Sequence, residues 1–183
     1  MSAQPDIRSL SDEDLKQALV DLGEKPFRAK QVSEWLWTHA AGSFDEMTSL
    51  GKGLREKLDA SFYLGRIDQV EAQQSRDGTV KCAFQIDGDA HRVVEGVLIP
   101  TTKRLTACSS SQVGCSLACK FCATGKLKLL KNLTAGEMFD QVQMLNAMAH
   151  ERHGKGLSNI VYMGMGEPLL NYRNVLESVD RIT

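Results

Sequence analysis

The run Ser110-Ser111-Gln112-Val113-Gly114-Cys115-Ser116-Leu117-Ala118-Cys119-Lys120-Phe121-Cys122-Ala123-Thr124-Gly125 gathers three of the chain's five cysteines into eight residues. They fit C-x3-C-x2-C, with aromatic Phe121 directly before the last cysteine. Thiolates are soft ligands that suit iron–sulfur clusters or zinc. The first spacing brings two sulfurs together across a loop turn, and the second folds a third onto the same centre. A structural zinc site usually takes four protein ligands, and no fourth is near. Cys108 stands seven residues upstream, and His150 and His153 lie beyond a predicted helix. Three ligands on a four-iron cluster would leave one iron open for something else. A zinc knuckle, or three buried cysteines, is the competing reading.

Outward from this run the pattern is that of alternating strands and helices. Upstream, Arg104 to Cys108 reads as a short strand leading into the polar Ser109-Ser110-Ser111-Gln112. Downstream, Thr134-Ala135-Gly136-Glu137 is a T-x-x-E capping box, and Met138, Val142, Leu145 and Ala149 give the helix behind it one apolar face. The sequon-like Asn132-Leu133-Thr134 reads as part of that cap. Asn159-Ile160-Val161-Tyr162-Met163 is a nearly continuous apolar strand of the kind buried on both faces. The loop Gly164-Met165-Gly166-Glu167-Pro168 follows, and a helix from about Asn171 runs to the end. Strand, loop, helix, strand, loop, helix is a parallel β/α succession. With only two such strands supplied, the Asn159–Met163 strand is expected to present an unpaired apolar edge, an aggregation hazard.

Earlier in the chain the period differs. Val80, Cys82, Phe84 and Ile86 alternate with Lys81, Ala83 and Gln85, which is strand periodicity, and Asp77-Gly78 and Asp87-Gly88 are hairpin dipeptides. An antiparallel three-stranded meander is predicted at about 67–75, 79–86 and 91–99, ended by Pro100, with Cys82 on its core face. The first residues read as three short helices. Ser11 to Asp14 caps the first, whose Leu15, Ala18, Leu19 and Leu22 precede the stop Gly23. Pro26 suits the first turn of the second, with Phe27, Val32, Trp35 and Leu36 as its apolar face. Leu50, Leu54 and Leu58 line the third, after a capping signature at Ser43 to Glu46. The expected fold class is therefore α/β: a helical module over 1–62, a β-meander segment over 63–100, and the opening β/α units of a larger domain over 101–183.

Composition narrows the classes. The chain has 183 residues, 42% hydrophobic and 25% charged, enough for a core without a disulfide framework. Its net charge of −1 gives no global pull toward nucleic acid or membrane. Mean hydropathy is −0.25, and no run approaches the roughly 18 apolar residues of a membrane span. The start Met1-Ser2-Ala3-Gln4-Pro5-Asp6 lacks the basic and apolar stretches of a secretory signal, so a cytoplasmic location is expected. Without export, clustered cysteines point to metal or thiol chemistry and not to structural disulfides.

C-x3-C-x2-C with an aromatic before the last cysteine resembles the signature of radical S-adenosylmethionine (SAM) enzymes. The wider run 110–125 is similar to the adenine-C2 methyltransferases that act on 23S rRNA and tRNA. Gly23 through Gln31, Val97-Leu98-Ile99-Pro100, Asn132 through Glu137, and Asn159 through Asn171 match the same family. The resemblance covers essentially all 183 residues, but only about the first half of a family member. It implies a partial (β/α)6 barrel over the last segment. It also implies a [4Fe-4S] cluster on Cys115, Cys119 and Cys122, with SAM chelated to the free iron and its amino group held by Gly166 and Glu167. A carboxylate and open backbone groups suit an ammonium, and glycine permits close approach. On its own, Gly164-Met165-Gly166 is an ordinary βα turn. The resemblance further implies an electron donor such as a flavodoxin-type reductant, and a monomer when intact.

Two residues carry roles that the resemblance supplies. Glu95 shares strand parity with Val93, Val97 and Ile99. If that face is the buried one, burial raises its pKa and suits it to proton transfer; if the other face is buried, it is a solvated carboxylate. The strand pattern leaves both open, and the resemblance assigns to this position the base that removes the C2 proton. Cys108 on its strand reads first as a small core residue. The resemblance makes it the thiol that releases product by forming a disulfide with a distant methyl-carrying cysteine, for which these 183 residues have no counterpart. The piece alone is therefore expected to be poorly soluble and inactive on RNA.

Lys103, Arg104, Lys120, Lys126, Lys128 and Lys131 fall between 96 and 136, where there is no Asp or Glu. That local excess fits phosphate contacts or, more plainly, a solvated basic loop. The helical module could add contacts by shape. His39, His91, His150 and His153 form no ligand spacing. The rival functions are a methyltransferase directed to C8 of the same adenine, and a non-catalytic RNA-binding or electron-transfer protein.

Overall fold

Strand periodicity and turn chemistry build the sheet at the centre of the larger of two compact units. The computed structural model describes residues 4–183, and the chain divides into units Met1–Gly65 and Arg66–Thr183. In the second unit, β1 (Ile67–Gln74), β2 (Val80–Ile86) and β3 (Asp89–Pro100) form the meander. Asp77-Gly78 and Asp87-Gly88 sit in its two turns. β3 does not end the meander as a separate segment. It continues antiparallel to β4 (Leu105–Cys108), and β7 (Asn159–Val161) joins β4 in parallel. The five strands run in the order β1-β2-β3-β4-β7. The segments expected at 63–100 and 101–183 thus share one sheet. β7 takes the outer position in it, pairing only with β4 among the described residues.

α4 (Ala135–His153) crosses from β4 to β7. Its Thr134–Glu137 capping box is complete, and Gly154 closes it in the left-handed conformation, which satisfies end groups that a helix otherwise leaves open. Met138, Leu145 and Ala149 pack with Val80, Cys82, Phe84, Ile86, Val94, Leu98 and Ala107 in one apolar core. α5 (Tyr172–Ile182) packs on α4. A short antiparallel pair, β5 (Gln112–Val113) with β6 (Lys131–Asn132), closes the base of the cysteine loop.

The first unit holds α1 (Asp12–Asp21), α2 (Arg28–Trp37) and α3 (Lys52–Ser61). Ser11 caps α1 by accepting from the Asp14 N–H at 3.1 Å. Leu15, Leu19, Val32, Leu36, Leu50, Leu54 and Leu58 are buried as their spacing predicts. Two aromatics differ. Phe27 is exposed, because it precedes α2 and lies off its apolar stripe, and Trp37 is buried in place of Trp35. Trp35 instead donates its indole N–H to Ser49 at 2.7 Å. Among the described residues, no helix is long and apolar enough to cross a membrane.

Candidate active site

The polar run after β4 is bonded to several distant segments of the larger unit. Ser109, Ser110, Ser111 and Gln112 are all buried, and polar groups taken from water need partners. The partners come from distant segments. Gln141 of α4 accepts from the Ser110 N–H at 2.9 Å and the Ser109 hydroxyl at 3.1 Å, and donates back to the Ser110 carbonyl at 3.2 Å. The Ser110 hydroxyl donates to the Glu95 carbonyl at 2.6 Å and accepts from the Met165 N–H at 2.8 Å. Asn171 donates to the carbonyls of Ser111 and Leu133, both at 2.8 Å. This hub was not singled out from the sequence. The signal for it was four uncharged polar residues in a row between an apolar strand and a cysteine loop.

From the hub the chain enters the cysteine loop. Cys115, Cys119 and Cys122 are half-exposed free thiols on one excursion. The excursion is pinned by the Cys115 N–H to the Leu127 carbonyl at 3.4 Å and the Cys122 N–H to the Cys119 carbonyl at 3.1 Å. The Leu117 N–H points to the Cys115 sulfur at 3.5 Å. Hydrogen bonds from the backbone of Gly125, and then of Thr124, hold the Cys122 thiol below its ordinary range. N–H groups aimed at sulfur favour thiolate, the form that binds metals. The donor set therefore fits a soft-metal cluster in its chemistry, although among the described residues no three His, Cys, Asp or Glu side chains converge on one point. Phe121 is 94% exposed.

Gly166 and Glu167 follow β7 on a loop that leans on the hub. Gly166 has φ +91°, and a Cβ there would fall 2.7 Å from Gln112 Cγ and 2.8 Å from its backbone nitrogen. Glycine is required both for the left-handed backbone and for the close approach. The Glu167 N–H donates to Gln112 Oε1 at 2.8 Å. The Glu167 carboxylate accepts from the Leu169 N–H at 3.0 Å, capping the turn at Pro168–Asn171.

The structure decides between the two faces of β3. Val94, Gly96 and Leu98 point into the core, so Glu95 lies on the opposite face. Its side chain is 48% exposed and ion-paired with Lys81 at 2.9 Å. The expectation that this carboxylate is buried is thereby corrected. α4 covers the other face, and Phe84 sits opposite Val94. Glu95 nevertheless keeps significant company: Val97 pairs with Cys108, so Glu95, Val97, Thr106 and Cys108 share one open face of the sheet. Burial pushes the Cys108 thiol up, partly offset by a hydrogen bond with the Met163 backbone. Cys82 is in the core, as its alternation predicts, and burial raises it too. All five cysteines are free.

The basic stretch is smaller than its sequence count. Lys103, Arg104, Lys120, Lys126 and Lys128 are exposed. Lys131 instead bridges Asp87 and the buried Glu137, at 2.6 Å each. Burial works to lower its pKa, but these two acceptors outweigh it and hold Lys131 above the ordinary lysine range.

Three comparisons bear on this geometry. A family model described as the ribosomal RNA large subunit methyltransferase N-terminal domain matches residues 6–64. A probable dual-specificity RNA methyltransferase RlmN of Cytophaga hutchinsonii is 52% identical over 178 residues, which is 97% of this chain and 48% of the relative. Its counterpart in Chlorobaculum tepidum is 44% identical over 183 residues, 97% of this chain and 49% of the relative. The crystal structure of a radical SAM methyltransferase from Sphaerobacter thermophilus is similar at a TM-score of 0.82 and 39% identity, covering 97% of this chain and 51% of that one. The chain spans about half the length of the curated relatives it matches.

Proposed function

We propose, from the premise that the chain belongs to the RlmN family of radical SAM methyltransferases, that it supplies the amino-terminal half of a cytoplasmic enzyme that methylates C2 of adenine in 23S rRNA and in tRNA. Residues 101–183 then open a partial (β/α)6 barrel, with the Glu95–Cys108 face turned inward. The observation that carries the reading is that shared face. The β3–β4 register sets a half-exposed carboxylate and a buried thiol on one face of the sheet, and the chain leaves that face through the Ser109–Gln112 hub into the cysteine loop.

Cys115, Cys119 and Cys122 hold a [4Fe-4S] cluster in this reading, and Gly166 and Glu167 receive the amino group of SAM. Cluster and SAM together would supply one-electron cleavage chemistry there. The protein's own residues do the rest. Glu95 takes the C2 proton; as a half-exposed carboxylate it is available to a substrate from the open side. Cys108 releases the product as the partner of a second cysteine. Burial raises its pKa and favours the thiol over the thiolate. Lys103, Arg104, Lys120, Lys126 and Lys128 offer phosphate contacts for the RNA, and a flavodoxin-type reductant supplies the electron. None of Cys82, Cys115, Cys119 and Cys122 is free to serve as the second cysteine, so these 183 residues alone do not turn over RNA.

The test is anaerobic reconstitution followed by mass mapping of RNA. The expected result is a brown protein with absorbance near ~400 nm, as iron–sulfur clusters show, and, in the full-length enzyme, methylation at C2. A C8 product would assign the protein to the alternative regiochemistry. Stoichiometric zinc without the chromophore would replace the cluster with a zinc knuckle.

A further inference from the structure

We infer that Gln112 is a positioning residue that ties the cysteine loop to the SAM-amino loop, so that the two halves of the cofactor site move as one body. The inference rests on the reading of Gly166 and Glu167 as the SAM-amino loop. Gln112 is fully buried and uses both ends of its amide. Oε1 accepts the Glu167 N–H at 2.8 Å, and Nε2 donates to Asn132 Oδ1 at 2.7 Å. Its backbone N–H donates to the Met165 carbonyl at 3.2 Å, and its side-chain stem fills the space where Gly166 lacks a Cβ. Three residues later the chain reaches Cys115. The strand pair β5–β6 makes that short connection stiff, because Gln112 and Val113 are bonded to Asn132 and Lys131 across it.

The geometry has a purpose that packing alone does not need. A buried amide can be satisfied anywhere in a hub, yet this one reaches across 55 residues of sequence to a single backbone N–H, that of Glu167. One side chain thereby fixes where the loop that receives an ammonium stands relative to the first cysteine. Misplacement by about 1 Å at such a site costs on the order of 100-fold in rate. Ser110 plays the neighbouring part, since its hydroxyl joins the Met165 N–H to the Glu95 carbonyl.

The test compares Gln112→Met, which keeps the length and loses both hydrogen bonds, with Gln112→Glu, which keeps the acceptor for Glu167 while Asn132 turns its amide to donate. Both are made in the cluster-reconstituted full-length protein. Equilibrium dialysis with S-adenosylhomocysteine reads affinity, hydrogen exchange at the Glu167 amide reads the bond, and iron content and Tm report folding. The expected result for Gln112→Met is at least a 10-fold loss of affinity, at least 10-fold faster exchange at Glu167, unchanged RNA affinity and normal iron. Gln112→Glu restores most of the exchange protection and of the affinity. Unchanged affinity in Gln112→Met despite fast exchange would overturn the inference. So would equal losses toward RNA and cofactor, which would mark a merely structural residue. Failure of the unsubstituted protein to bind the cofactor would instead overturn the parent reading, and this inference with it.

Discussion

The two faces of the five-stranded sheet are built from the same strands and have opposite fates. On one, Val80, Cys82, Phe84, Ile86, Val94, Leu98 and Ala107 are fully buried beneath α4. On the other, Lys81, Glu95, Val97, Thr106 and Cys108 alternate between them, exposed or half-covered apart from the buried Cys108. Period-two alternation forces this division. It lets the protein place stability on one side of a backbone and reactive groups on the other, one residue apart. A substitution is therefore expected to read out as a folding defect or a chemical one according to parity.

The largest effect should come from emptying the covered face. Phe84→Ala is expected to cost about 3–5 kcal/mol, the range for truncating a buried aromatic, measured as the shift in urea midpoint. Overfilling the same face is the next test. A Cβ at Gly96 would fall 2.6 Å from Phe84 Cε2 and 3.3 Å from Leu145 Cδ1, so Gly96→Ala should cost about 1–3 kcal/mol; a neutral result would show that α4 sits more loosely than described. Lys131→Met leaves the buried Glu137 without its cation and should cost about 1–3 kcal/mol. The sign follows from the raised pKa of Lys131. Its contribution is complete below the unfolded lysine value and disappears only as pH rises through the higher folded one. The defect should therefore be constant across neutral pH and shrink in strong alkali, as a thermal melt series would show. On the open face, Glu95→Gln removes an exposed pair with Lys81 and should change stability by only about 0.2–1 kcal/mol, while abolishing turnover in the full-length enzyme. A large loss of Tm in that variant would break the comparison. The smallest perturbation is chemical labelling. Cys122, with its lowered pKa, should react with iodoacetamide at lower pH than the raised and buried Cys82 and Cys108, as mass mapping can follow.

Much of this was legible where pattern and structure depend on the same few residues. The Thr134–Glu137 box specified the start of α4 because a cap is local. The alternation of Val80 to Ile86 with polar neighbours specified its buried side without help. β3 resisted the same treatment because both of its parities are apolar. Val93, Val97 and Ile99 compete with Val94 and Leu98, and only pairing with β2 and the position of α4 decide. Lys131 looked like part of a basic patch because its partners, Asp87 and Glu137, lie on other elements. Ser109 to Gln112 showed only as a polar run for a similar reason. Burial of a polar run becomes possible only through acceptors and donors that no local window contains. Phe27 misled because a residue at a helix boundary does not obey the period inside it. The cluster cysteines are the reverse case, because their spacing is local and legible in the sequence alone.

The bond from Glu167 to Gln112 also sets an order of events during synthesis. The two residues are 55 positions apart, and translation proceeds at about 5–20 residues per second, so Gln112 emerges roughly 3–11 seconds before its partner exists. For that interval the buried Gln112 amide oxygen has water as its only donor, although Glu95, Asn132 and Gln141, which serve the rest of the run, are already made. The hub therefore cannot close completely from its amino end forward. The sheet has to wait for β7 and the loop behind it, which is a non-local closure of the kind that slows folding. The nascent meander, apolar on one face and uncovered by α4 until Ala149 has been made, is the stage at which this protein most needs a chaperone.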